Sequence, residues 1–174
     1  MPSEPWLHPG IEVRESEIDG RGLFATGSLD AGLVVVRLGG RLVGTEGLRE
    51  LFARATMDAY VDTVTIEEDQ HLVLPAGTPV HYGNHCCDPT MWHVDRYDIA
   101  LRRPVGQGGE LTIDYATQTG LADWTMRCAC ATALCRGVVT GEDWRRPDLQ
   151  ERYAGHWLPA LAARIAAEQV TDPP

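Results

Sequence analysis

The sequence predicts a mainly β fold built around one core. Three observations carry that expectation. The 174 residues are 44% hydrophobic and 23% charged, the balance of an ordinary globular chain. The 18 glycines and 11 prolines cut the chain into short segments. The β-branched runs between them are strand-sized. A chain of this length buries roughly 70% of the surface it would expose when unfolded, so it needs no disulfide framework.

Taken in order, "IEVRES" (residues 11–16) and "LVVVRL" (33–38) read as strands, and the glycines of "DGRGLFATGSLDAG" (19–32) supply turns between them. From Thr45, "TEGLRELFARAT" places Leu48, Leu51, Phe52 and Ala55 on one helical face, with Thr45 as N-cap. "YVDTVTI", beginning at Tyr60, and "HLVLP" flank the polar turn "EEDQ" as a hairpin. "YDIALRR" (97–103) and "LTIDYA" (111–116) read as a second hairpin around "PVGQGG". Leu158, Leu161 and Ile165 recur at helical spacing, which predicts a C-terminal helix before a disordered "TDPP".

Composition narrows the function. No apolar run approaches the roughly 18 residues of a membrane span, and "MPSEPWLHPG" lacks the order of a signal peptide, so a cytoplasmic protein is expected. The net charge of −10 argues against nucleic acid as a direct partner and favours a basic one. All the Lys+Arg positions are Arg; the chain has no Lys. The cysteines are few and clustered. Cys128, Cys130 and Cys135 form C-x-C-x4-C, and "HYGNHCCDPT" adds Cys86 and Cys87. In a reducing compartment such a cluster reads as metal ligands, and one of the adjacent pair would complete a closed, structural zinc site. The plainer alternative is a set of unrelated buried thiols.

Together and in this order, "GRGLFA" (20–25), "YGNHCCDP" (82–89), "GELTIDY" (109–115) and the cysteine-rich tail resemble the motifs of SET-domain lysine methyltransferases with a post-SET zinc segment. The run "CRGVVTGEDWRRPDLQERYAGHW" is similar to the tail of stand-alone bacterial members. The resemblance implies several short sheets joined by a pseudoknot, a SET domain over residues 1–120, a post-SET zinc segment over 121–140 and a helical extension over 141–174. It implies S-adenosylmethionine as cofactor, held by Asn84, His85 and the backbone turn of Gly20, Arg21, Gly22 and Leu23. Cys87 becomes the fourth zinc ligand beside Cys128, Cys130 and Cys135, and Cys86 a packed residue. Tyr115 takes the catalytic role, orienting a neutral lysine amine, with Tyr82 or Tyr60 as the second tyrosine of the lysine channel. Adenine stacking falls to Trp124 or Trp144, since Met126 replaces the usual aromatic. The chain departs from the pattern at Thr90, at Gly109, and at His81, where an Arg is usual. The implied partner is a basic, lysine-containing protein or peptide. A small-amine methyltransferase and a catalytically idle binding module are the alternatives.

Overall fold

The computed structural model describes residues 2–55 and 61–171; Tyr60 lies outside them, as do residues 172–174 of the expected disordered tail. Within them the strands form small antiparallel sheets. One orders Trp6–Leu7, Val34–Arg37, Asp98–Leu101 and Met91–His93; a second orders Glu110–Leu111, Arg21–Ala25 and Ile11–Glu15; a third orders Arg41–Val43, Gln70–Val73 and Thr63–Glu67; Thr125–Arg127 pairs with Val138–Thr140 in the tail. The mainly β expectation is met.

The glycine-bearing stretch after Asp19 is more than a linker. Gly20 alone makes the turn, at φ +45°, and Arg21–Ala25 then forms a strand that buries Leu23 and Ala25 completely or nearly so. The hairpin around "EEDQ" is present, with Thr63 opposite Val73. The second expected hairpin is not. Asp98–Leu101 pairs with Met91–His93 and Val34–Arg37, whereas Leu111 pairs with Leu23 in another sheet. The glycines of "PVGQGG" carry the chain away instead, with Val105 bridging to Leu29 and Gly108 donating to the Ala25 carbonyl.

Helix Thr45–Arg54 forms as expected and buries Leu48, but its N-cap is Gly44, not Thr45. Asp69, from the turn of the neighbouring hairpin, accepts from the Thr45 backbone N–H at 2.8 Å, which frees the Thr45 hydroxyl to meet His71 Nε2 at 3.1 Å. The C-terminal helix runs Pro159–Thr171. Just before it, Leu158 is wholly buried in the main core with Leu23, Ile66, Leu72 and Leu111, and its N–H donates to Thr117 O at 3.1 Å. Among the described residues, no helix is long and apolar enough to cross a membrane.

Candidate functional site

The site forms where two distant segments run side by side. His85 and Ile113 make a parallel bridge, with Ile113 N–H donating to Asn84 O and Cys86 N–H to Ile113 O. The two motif segments that the pseudoknot would bring together therefore touch here.

Asn84 is fixed from three sides. Its Nδ2 lies 3.1 Å from Asp19 O, 3.0 Å from Arg21 O and 2.9 Å from Glu110 Oε1. Glu110 also accepts from Ser16 Oγ. Gly22 makes this possible, because a Cβ there would stand 2.2 Å from that Glu110 oxygen. Arg21 instead turns outward, its guanidinium 4.8 Å from the Tyr82 ring centroid.

His85 is buried and neutral, since burial pushes its pKa down to about 4 against the pull of Asp114. Its Nδ1 accepts from the Tyr115 backbone N–H at 3.2 Å, so the ring proton sits on Nε2 and points at Cys87 Sγ, 3.3 Å away. The backbone N–H of Arg136 donates to the same sulfur at 3.3 Å. Burial holds the Cys87 thiol pKa above its ordinary value, and the Arg136 N–H pulls the other way.

The thiols of Cys87, Cys128, Cys130 and Cys135 all lie within 4.8 Å of one another, with Cys87 and Cys128 at 3.7 Å. Zn–S bonds of about 2.3 Å in a tetrahedron put sulfurs about 3.8 Å apart, so the set fits one structural zinc and leaves no open position. Cys86 stands outside the set; burial pushes its thiol up to about 11. Freshly purified, reduced protein should carry about one zinc per chain, and chelation should expose residues 125–140 to proteolysis. Metal analysis with limited proteolysis checks this, and zinc-free protein with a protected tail would contradict it.

A buried ion pair ties the tail to the site. Arg136, next in sequence to Cys135, meets Asp114 with both terminal nitrogens at 2.7 Å, and Tyr153 donates to Asp114 Oδ2 at 3.0 Å. Arg136 Nε also lies 2.9 Å from Asp143. Asp114 directly precedes Tyr115 and caps the next turn through Ala116 N–H.

Tyr115 separates two cavities. One, about 270 Å³, is lined by Ile18, Asp19, Asn84, His85, Met126, Arg127, Ala129 and Tyr115 itself. The other, about 300 Å³, is lined chiefly by apolar side chains together with Asp62, His81, Gly83, Gln118, Trp124 and again Tyr115. The Tyr115 hydroxyl donates to Gly83 O at 3.0 Å, and its ring lies 5.3 Å from His85 and 6.3 Å from Trp124. Of the two tryptophans named for adenine stacking, Trp144 is buried against Leu161 and Ile165, and Trp124 faces the apolar cavity. Met126 lines the polar one. Leu23 is a core residue on the apolar cavity, and Tyr82 lines neither cavity. Sequence reading missed Glu110, Asp114, Arg136, Asp62 and Gln118. The first three adjoin motif residues, which was the available signal; Gln118, held by His93 Nε2 at 3.1 Å, had none.

Comparison with known proteins agrees with this geometry. The family described as "SET domain" matches residues 20–116. The chain is 31% identical over 137 residues to histone-lysine N-methyltransferase trithorax of Drosophila melanogaster, over 72% of this chain and 4% of that protein. It is 29% identical over 141 residues to human histone-lysine N-methyltransferase 2B, over 72% of this chain and 5% of that one. The chain thus spans only a small part of the curated relatives it matches. The methyltransferase domain of human histone-lysine N-methyltransferase SETMAR superposes with a TM-score of 0.61 at 16% identity, over 76% of this chain and 57% of that one, a likeness of fold. With more than half of its length matched and its motifs meeting at the 85–113 bridge, the chain belongs to the SET-domain family.

Proposed function

We propose that the chain is an S-adenosylmethionine-dependent N-methyltransferase acting on protein lysine side chains. The observation that supports this most directly is Tyr115 as the shared wall of a polar cavity and an apolar one. Asn84, His85, Asp19 and Met126 suit the cofactor side, where an amide, a carboxylate and a soft apolar face meet, and the Arg21 carbonyl accepts from Asn84 and so holds its side chain in place. Bound there, S-adenosylmethionine would supply a methyl group on a cationic sulfur. On the other side, the apolar walls with Trp124 suit the aliphatic stem of a lysine. Tyr115, pinned by Gly83 O, stays uncharged near neutral pH and orients the amine without burying a charge. Tyr82, stacked under Arg21, lines neither cavity and takes no catalytic role in this reading.

In this reading residues 1–120 form the SET domain, 121–140 the zinc segment and 141–174 the extension that supplies Tyr153 and Leu158. The substrate is a basic protein or peptide, suited to a chain of net charge −10, and the five free cysteines suit the reducing cytoplasm. The relatives are named for histone lysines, and a lysine ammonium carries the positive charge that such a surface attracts.

Calorimetry should detect S-adenosylmethionine binding, and mass spectrometry of a lysate treated with cofactor and protein should find new methyl-lysine. No binding and no methylation would overturn the reading. Because the chain has no Lys, labelled cofactor incubated with the protein alone should leave every internal residue unlabelled. Label on an internal peptide contradicts lysine as the acceptor.

A further inference from the structure

His81 stands where the family pattern has Arg, and its ring is held at both ends. Nδ1 lies 2.7 Å from Asp62 Oδ2 and Nε2 lies 2.7 Å from Pro75 O. A carbonyl only accepts, so Nε2 carries hydrogen, and a second proton sits between Nδ1 and the carboxylate. The ring therefore fixes where the Asp62 carboxylate points.

Both residues line the apolar cavity that ends at Tyr115, and among the described residues Asp62 is its sole carboxylate. Among the described residues no Arg lines it, and the other titratable side chains on its wall are His81 and Tyr115. Burial holds the Asp62 pKa above the ordinary carboxylate range, although His81 and the Thr63 backbone N–H pull the other way. A carboxylate offers about four acceptor positions, so those two partners leave room for a guest donor. An aliphatic amine reaches such a cavity as an ammonium ion, with a reference pKa of about 10.4, and only the neutral amine has a lone pair with which to attack carbon.

We propose that Asp62, aimed by His81, receives the acceptor's ammonium group in the Tyr115 cavity and takes its proton. This rests on the methyltransferase reading for its purpose. One N–H bond of the ammonium breaks, its electron pair stays on nitrogen as the amine lone pair, and an O–H bond forms on Asp62. The positive charge passes from the acceptor nitrogen to the His81–Asp62 pair, so the net charge of the cavity is unchanged while the nitrogen is left neutral. The proton passes from Asp62 to water once the product has left.

Asp62→Asn is the decisive variant, because its amide oxygen still accepts from His81 Nδ1 while the charge and the basicity are gone. Ligand-observed NMR at pH 7 would measure binding of butylammonium chloride, with 1-pentanol as an uncharged probe one methylene longer. Wild type should bind butylammonium at least tenfold more tightly than the variant, and pentanol equally. With poly-L-lysine as acceptor, Asp62→Asn should lose about a hundredfold in kcat/KM at pH 7, the low end for general-base catalysis, and the gap should narrow as the pH nears 10 and the amine arrives neutral. In wild-type protein labelled with 13C at Asp side chains, the Asp62 carboxyl signal should move with butylammonium and not with pentanol, a readout that depends on no variant folding. Equal butylammonium affinity in the two proteins, an unmoved Asp62 signal, or a kcat/KM gap constant with pH overturns the proposal. A wild type that binds butylammonium through Asp62 yet transfers no methyl group overturns the methyltransferase reading instead.

Discussion

Replacing Arg136 by methionine should lower the free energy of unfolding by about 3–5 kcal/mol, the usual loss when one partner of a buried ion pair is removed. The Arg136 side chain is only 5% exposed, and it faces Asp114 and Asp143, at 0% and 9%. Methionine fills much the same space but leaves two carboxylates in the interior without their cation. Tyr153 and the Ala116 N–H would then be left to donate to Asp114, too little for a buried anion without its cation. Urea unfolding of zinc-loaded protein measures the change. A loss below about 1 kcal/mol would mean that water reaches Asp114 in the variant. The double variant Arg136→Met with Asp114→Asn should recover part of the loss, because it leaves Asp143 alone, not both carboxylates, without the arginine.

Tyr115→Phe should cut turnover on the order of a hundredfold while leaving S-adenosylmethionine affinity within about twofold. The phenyl ring keeps its place against His85 and Trp124, so both cavities survive; what disappears is the hydroxyl anchored on Gly83 O. Asn84→Ala should do the opposite, because Asn84 ties Asp19, Arg21 and Glu110 into the wall of the polar cavity. Calorimetry of cofactor binding beside steady-state rates separates the two variants. Wild-type turnover by Tyr115→Phe would remove Tyr115 from the catalytic role.

Much of the fold was legible because it is local. The hairpin around "EEDQ" closes on its own neighbours, with Thr63 opposite Val73 and Val64 opposite Leu72. The hairpin expected around "PVGQGG" failed for the complementary reason: turn residues announce a change of direction but not a partner, and Leu111 finds Leu23 across the molecule. The same holds for Thr45, a good capping residue displaced by an aspartate that only the folded hairpin brings near. In the site, motif order pointed to Asn84, His85 and Tyr115, which line one cavity, and to the four cysteines, which cluster. Arg136 had a signal in its place beside Cys135, but its pairing with Asp114, like that of Asp62 with His81, was not legible, because an ionic partner is defined by a pairing in space. His81 was visible as a departure from the family pattern, yet nothing in the sequence named the acid that answers it. The choice between Trp124 and Trp144 was likewise a question of burial.

Leu158 closes the main core, and its N–H holds Thr117 O, two residues beyond Tyr115. A chain made from its N-terminus outward therefore carries an open notch between its sheets until this residue emerges from the ribosome. The segment bearing Tyr115 gains its last support at the same moment. A chain broken off ahead of Leu158 can pair most of its strands, but it lacks the wedge that seats them and shows its unsealed apolar surface to chaperones and proteases. Only a molecule synthesised through that point has both a closed core and a settled Tyr115.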